Sequence, residues 1–337
     1  MSPPGALQRW DLLSHLSPEQ LAQLESCAER RVLPARTTIL KEGEPSLDAY
    51  LIVSGGVRIQ RKTPYGSFSL ASLKAGQLFG ETSFVDGNSR SGDAVTLFET
   101  ELLALSPREL GPAMEGDQRF SVALYWMFWK SLSAKLRQTN LQLTRFFSET
   151  GKPASVQPAE AESFAGDFRV DLARKRQLFQ EQKLSSLEIN FLSSLSKEKK
   201  FSPYQQIFHE GEAGHEMYVV LEGRVMISKY IPGAGEEALA FLERGDYFGE
   251  MALIDNEPRS ADAKAHDGGA VALAIPREVL EGILDIHKVS SLRLLKILCT
   301  LVAGRLRELD DKIVGWFILA GGSGTGWPVD RDSPPAP

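Results

Sequence analysis

The sequence predicts a mainly β fold with flanking helices, built twice: two small β-barrels of jelly-roll type, each followed by a long C-terminal helix. Three observations predict it. The chain repeats itself at a nearly constant offset, each copy is a run of short strand-like segments parted by glycine turns, and each copy closes on a heptad pattern.

The repeat comes first. "ILKEGEPSLDAYLIVSGGVRI", from Ile39, matches "IFHEGEAGHEMYVVLEGRVMI", from Ile207, and the Glu-Gly-Glu, the Tyr and the Gly-x-Val fall in register. "GQLFGETSFVDGNSRSGDA", from Gly76, matches "GDYFGEMALIDNEPRSADA", from Gly245, so the offset has grown by a single residue between the two blocks. The added residue lies around "TPYGS" and "IPGAGEE", a Pro/Gly turn between two strand-like runs, where a hairpin loop tolerates insertion.

Each copy opens on a short helix signature, "LSPEQLAQL" at Leu16 and "LSSLEINFL" at Leu184, with Ser17 and Ser185 as N-caps. Strands follow, among them "AYLIV", "VRIQR", "MYVVL" and "VMISKY", without long helices between them, as in a small antiparallel barrel or jelly roll. The terminal helices carry seams spaced 4, 3, 4, 3, 4, 3: Tyr125, Trp129, Leu132, Leu136, Thr139, Leu143 and Phe146 in the first, and Leu295, Cys299, Val302, Leu306, Leu309, Ile313 and Trp316 in the second. "GKPASVQPAEAESFAG" has linker composition and "GGSGTGWPVDRDSPPAP" that of a disordered tail. The predicted organisation is therefore domain A at 1–150, a linker at 151–169, domain B at 170–320 and a tail at 321–337.

Composition narrows the class of function. A 337-residue chain with 42% hydrophobic and 24% charged residues fits two ordinary globular domains. A net charge of −6 argues against a chain-wide nucleic-acid footprint. No stretch of eighteen apolar residues occurs, the N-terminus lacks a leader pattern, and the two cysteines, Cys27 and Cys299, form no C-x-x-C pair. A cytoplasmic protein that contacts neither membrane nor nucleic acid is expected. His15, His209, His215, His266 and His287 show no metal-ligand spacing and no nucleophile motif is present, so neither a metal nor an enzyme is expected.

The chemistry concentrates behind the Phe-Gly-Glu turns. Glu250 and Arg259 stand nine residues apart among glycine, alanine and short apolar residues, and Glu81 and Arg90 repeat that spacing. An isolated pair of this kind would be read as a structural ion pair. Two copies at one spacing favour a compact charged guest.

The barrel, the Phe-Gly-Glu turn, the following Arg and the terminal helix together resemble the cyclic nucleotide-binding domain family, twice over and across nearly the whole chain. The most specific part is the phosphate-binding cassette, Gly249, Glu250, Met251 and Ala252 with Arg259, Ser260 and Ala261; its counterpart is Gly80, Glu81, Thr82 and Ser83 with Arg90 and Ser91. A rigid guanidinium suits the delocalised charge of a cyclic phosphate, a short helix after Gly249 would aim backbone N–H groups at the same anion, and glycine permits close backbone approach. The resemblance implies that Glu250 accepts from the ribose 2′-hydroxyl. The first cassette departs at Ser83, Ser89 and Gly92, which implies a less preorganised loop.

The aromatic run "LYWMFW" at Leu124 reads as core or helix-pairing surface, or else as a base-capping ring. "ARKRQLF" at Ala173 reads as a solvated helix face, and "GGSGTG" at Gly321 lacks the Lys-Ser/Thr of a phosphate loop. No helix-turn-helix or kinase sequence accompanies the two copies. The expectation is a stand-alone two-site cyclic nucleotide receptor without a cofactor that signals in trans to an effector protein, with cyclic AMP favoured over cyclic GMP. An interaction scaffold with weak or empty pockets is the alternative, and a DNA-binding regulator is disfavoured by the charge. The apolar seams must pair, either within one chain or in a homodimer, and the resemblance favours the homodimer.

Overall fold

The computed structural model describes residue 7 and residues 10–148, 170–231, 235–284 and 292–322. The linker, nearly all of the tail and His287 lie outside them.

In the first copy α1 (Pro18–Cys27) starts at Ser17, whose hydroxyl accepts from Gln20 N while the Gln20 side chain accepts from Ser17 N. That reciprocal box satisfies two donors that a helix start leaves open. Eight strands follow: β1 (Glu29–Leu33), β2 (Thr38–Leu40), β3 (Ala49–Ser54), β4 (Gly56–Thr63), β5 (Gly66–Lys74), β6 (Leu78–Phe79), then α2 (Glu81–Asp86), β7 (Asp93–Thr96) and β8 (Thr100–Leu105). They make two antiparallel sheets, β1-β8-β3-β6 and β2-β7-β4-β5. Tyr50, Ile52, Phe79, Leu102 and Ala104 of one sheet pack with Leu40, Val57, Leu73 and Ala94 of the other. Two alternating strand faces that meet in this way give a jelly roll rather than a closed barrel. α3 (Pro107–Gly116) and α4 (Gln118–Ser148) complete the copy.

The second copy begins with α5 (Leu172–Glu181) and α6 (Ser186–Leu195), the latter boxed by Ser185 and Glu188. Then come β9 (Lys197–Phe201), β10 (Gln206–Phe208), β11 (Glu216–Ile231), β12 (Gly235–Leu242), β13 (Tyr247–Phe248), α7 (Met251–Ile254), β14 (Asp262–Pro276), α8 (Arg277–Leu284) and α9 (Leu292–Leu319). Here one six-stranded sheet replaces two, because β11 and β14 carry their ladder around the corner that separates β3 from β4 in the first copy. The corner itself recurs. Gly55 at φ +85 and Gly223 at φ +75 both sit where an added Cβ would lie within 2.5 Å of a facing carbonyl.

By packing, the chain divides into unit 1, Met1–Ala123 with Leu306–Pro337, and unit 2, Leu124–Arg305. The repeat assigns each terminal helix to its own copy; the packing assigns α4 from Leu124 onward to unit 2 and the end of α9 to unit 1. In unit 2 the two helices meet: the Cys299 thiol donates to Tyr125 O at 3.3 Å, and Lys296 Nζ stands 5.1 Å from the Tyr125 ring centre. Burial pushes the Tyr125 phenol up to about 12. In unit 1 the Phe317 ring of α9 lies 4.7 Å from that of Phe68.

Most of both seams is buried within a single chain, with Tyr125 and Trp316 half-buried at their ends. Trp129, Leu132, Leu136, Thr139 and Leu143 are buried, as are Leu295, Cys299, Val302, Leu306, Leu309 and Ile313. The Phe146 side chain lies outside the described residues. Leu124, Met127, Phe128 and Trp129 are fully buried and pack as core, while Tyr125 and Trp126 are half-buried. Leu132→Ala should lower the unfolding free energy by ~2–5 kcal/mol, seen as a lower urea midpoint with an unchanged slope. An unchanged midpoint would show that the seam is not packed in solution.

Candidate functional site

The Glu-Gly-Glu motif shared by the copies pairs with the cassette arginine through the main chain. Gly43 N donates to Arg90 O at 2.9 Å and Arg90 N to Glu44 O at 3.0 Å; Gly211 N donates to Arg259 O at 2.9 Å and Arg259 N to Glu212 O at 2.8 Å. Both arginines are thereby fixed at the backbone, and both side chains run inward. Arg90 is 3% exposed and Arg259 5%.

Backbone carbonyls receive the guanidinium groups. Arg90 Nη1 donates to Gly80 O at 2.9 Å, Nη2 to Asp48 O at 2.7 Å, and Nε to Ser46 Oγ at 3.0 Å. Arg259 Nη1 donates to Gly249 O and Nη2 to Glu216 O at 2.6 Å. The position of Ser46 is taken by Gly214 in the second copy, and Arg259 Nε is buried with no hydrogen-bond partner. The Arg259 guanidinium carbon also lies 4.3 Å from the centre of the Phe208 ring. Burial pulls both guanidinium groups below their usual range without removing the charge.

Glycine is needed where the guanidinium arrives. Gly80 and Gly249 have φ +77 and +75, and a Cβ on Gly249 would lie 2.6 Å from Arg259 Nη1. The helices that follow are short, α2 with Glu81 as its first residue and α7 with Glu250 as its N-cap. Glu81 and Glu250 are buried.

Glu250 and Arg259 are not an ion pair. Glu250 Oε1 is met by Arg305 Nη1 of α9 at 3.1 Å, and Arg305 Nη2 donates to Tyr247 O. Among the described residues no carboxylate lies within ion-pair distance of Arg259, so the structural ion pair considered from the sequence does not form. Met251, Ala252 and Ala261 are buried around the arginine. Ser260 Oγ donates to Met251 Sδ at 3.8 Å and accepts from Asn140 Nδ2 of α4 at 3.4 Å. In the first cassette Thr82 is half-exposed, Ser83 is buried and donates to Ser89 O at 3.4 Å, and Ser91 O accepts from Arg61 Nε.

A second set of arginines, which the sequence reasoning missed, grips the outer end of each cassette. Arg137 of α4 donates to Asp255 Oδ2 and Oδ1 at 2.8 and 3.0 Å and to Pro258 O at 2.7 Å. Arg307 of α9 donates to Asp86 Oδ2 and Oδ1 at 2.6 and 3.1 Å, to Ser89 O at 2.9 Å and to Ser83 Oγ at 3.2 Å. Each clasp is a bidentate guanidinium–carboxylate pair, geometry that fixes orientation as well as distance. The first loop lacks proline, yet its Ser89 carbonyl is held as Pro258 is. A signal was present: Arg137 and Arg307, like Asp86 and Asp255, stand one repeat apart in the sequence to within a position or two.

A charge of this depth needs a counterpart. An ionised group out of water is tolerated when it is paired or hydrogen-bonded, and here the acceptors in hydrogen-bond contact with Arg259 are backbone carbonyls, with Glu216 and Glu250 acting on it at longer range. Arg259 keeps one N–H without a hydrogen-bond partner and has no carboxylate within ion-pair distance among the described residues. Among the described residues no group of three or more His, Cys, Asp or Glu is placed to hold a metal ion.

The family description "Cyclic nucleotide-binding domain" matches residues 30–117 and 198–287, together more than half of the chain. The chain belongs to this family. It is 22% identical over 274 residues to the cGMP-dependent protein kinase egl-4 of Caenorhabditis briggsae, a match that covers 81% of this chain and 30% of that kinase. It is 37% identical over 84 residues to a cAMP-dependent protein kinase regulatory subunit of Mycosarcoma maydis, over 25% of this chain and 16% of that one. The chain thus spans less than a third of the length of these relatives. Among solved structures it is similar to the regulatory domain of Toxoplasma gondii PKA crystallised with cAMP, at 17% identity over 92% of this chain and 94% of that one, TM-score 0.30. It is also similar to the N-terminal domain of a Streptomyces coelicolor A3(2) transcriptional regulator, at 30% identity over 40% of this chain and 94% of that one, TM-score 0.34.

The clasps should act locally. Arg137→Ala is expected to speed amide hydrogen exchange at residues 255–259 by roughly tenfold or more, since even one hydrogen bond to a charged group is worth that much and three are lost, while leaving residues 86–90 unchanged; Arg307→Ala should do the reverse. Equal exchange in wild type and variants would show that the cassettes are held without the clasps.

Proposed function

We propose that the chain acts as a stand-alone two-site cyclic nucleotide receptor, without catalytic activity of its own, that signals to an effector protein in trans. The observation that carries this reading is the buried Arg259 guanidinium with its unpartnered Nε and, among the described residues, no carboxylate within ion-pair distance. Family membership names the anion class, a cyclic phosphate. Cyclic AMP is the favoured ligand, with cyclic GMP the nearest competitor, and the cytoplasm is the proposed location. No described helix is long and apolar enough to cross a membrane. A homodimer remains part of the proposal, but α4 and α9 do not require it, since most of both seams is buried within one chain.

The second reading is an interaction scaffold with empty pockets. It draws on Glu250, whose carboxylate is already engaged by Arg305. A ribose hydroxyl would then have to share that carboxylate or displace the arginine.

Thermal-shift and calorimetric titration with cyclic AMP, cyclic GMP and cyclic dinucleotides separates the readings: the receptor binds at least one, the scaffold none. Arg259→Ala should cost more affinity than Arg90→Ala, because Arg90 Nε is already satisfied by Ser46 whereas Arg259 Nε has no hydrogen-bond partner of its own. The expected loss at the second site is ~3–5 kcal/mol, a hundredfold or more; a larger loss from Arg90→Ala reverses the ranking.

Glu250→Gln should weaken a ribose-containing cyclic nucleotide by ~1.5–3 kcal/mol relative to its 2′-deoxy analogue. Equal losses for both ligands would assign Glu250 to holding Arg305 instead of the sugar.

A further inference from the structure

Beneath the second cassette lies a cation that the receptor reading does not use. Lys229 of β11 has a side chain only 1% exposed, and its ammonium donates to Glu210 and, at 3.3 Å, to Ser260 O. Ser260 directly follows Arg259, and Glu210 is the first acid of the Glu-Gly-Glu motif. The first copy repeats the constellation with another residue type. Arg61 of β4 donates through Nε to Ser91 O, the carbonyl directly after Arg90, and that nitrogen lies 3.6 Å from Glu42 Oε1; its Nη1 also meets Asp311 of α9. Lys229 and Arg61 are equivalent positions of the repeat, as are Glu210 and Glu42, both pairs at the offset that separates Ile207 from Ile39.

Burying the cation of such a pair is a poor way to gain stability, because its desolvation offsets the attraction, and Glu210 itself stays 38% exposed. A strand-borne cation on the same carbonyl in both copies, lysine in one and arginine in the other, therefore calls for a role besides stability. The carbonyl it holds belongs to the peptide that leads the chain away from the anion-binding arginine. Fixing that peptide fixes the backbone from which the guanidinium projects. On the other side of the same residue, the Ser260 hydroxyl is held by Asn140 and Met251.

We propose that Lys229, and Arg61 in the first copy, are positioning residues for the anion sites: each anchors the peptide after the cassette arginine and so sets where the guanidinium meets its ligand. This rests on the receptor reading for the identity of the anion but not for the anchoring itself. The experiment reads the two separately, with Lys229→Met, which keeps the volume and removes the charge, and Lys229→Arg, which installs the residue of the first copy. Both are made in the full chain beside wild type, with Arg90→Ala added throughout so that titration reports the second site.

Lys229→Met should raise amide exchange at residues 259–261 by roughly tenfold and weaken cyclic AMP or cyclic GMP binding by about the same factor, the loss of one hydrogen bond to a charged group. The double variant Lys229→Met, Glu210→Gln, which leaves no carboxylate unpaired, should melt with the wild type. Lys229→Arg should restore both exchange and affinity to within about twofold, since the guanidinium supplies the same charge to the same carbonyl. Unchanged exchange in Lys229→Met, or a loss that tracks a lower melting temperature and is not rescued by arginine, overturns the proposal. Failure of the wild type to bind any cyclic nucleotide overturns the receptor reading, while the exchange measurement still decides the anchoring.

Discussion

Each copy is arranged around a guanidinium that is buried without a carboxylate. Such a group must be hydrogen-bonded from several directions, and the chain supplies acceptors only where strands end and turn. In the first copy Gly80 O and Asp48 O converge on Arg90; in the second, Gly249 O and Glu216 O converge on Arg259. The Glu-Gly-Glu hairpin exists in register with the cassette because the arginine backbone pairs with it, and the left-handed glycine precedes the cassette helix because no side chain fits beside the guanidinium. Facing sheets, corner glycines and short helices follow as the framework that brings these carbonyls to one point.

The two copies solve that constraint unequally. Ser46 completes the shell of Arg90, whereas Gly214 stands close to Arg259 with nothing to offer, and a Cβ there would lie 2.4 Å from the Ala252 Cβ and 3.0 Å from Arg259 Cζ. The ring of Phe208 stacks under Arg259, while the first copy has Leu40 at that place in the repeat. An aromatic face attracts the cation without using any of its donors. Arg259 is thus held firmly and left with a donor to spare.

Much of this was legible in the sequence because it is local. The tandem repeat, the cassettes with their nine-residue spacing, the Ser17 and Ser185 caps and the heptad seams all depend on residues close in the chain or on a fixed offset. The partners of the charges were not legible. Nothing near Glu250 announces that Arg305 of a distant helix meets it, and nothing near Asp255 announces Arg137. The pairing of Glu250 with Arg259, plausible from their spacing, gives way because carbonyls reach the guanidinium first and place it beyond the carboxylate. The choice between two sheets and one was equally hidden, since it turns on whether ladder hydrogen bonds survive a bulge at Gly223.

The assignment of α4 and α9 by packing also bears on how these contacts respond to dilution. The clasp at Asp255 joins residues 118 apart in sequence, and the one at Asp86 joins residues 221 apart. A lone copy of the repeat could make such a clasp only by meeting another molecule, with an occupancy that falls with protein concentration. Tandem fusion replaces that encounter with an intramolecular one, whose effective concentration does not depend on how much protein is present. The cassettes of one chain are therefore held to the same degree in a single copy per cell as in a concentrated solution.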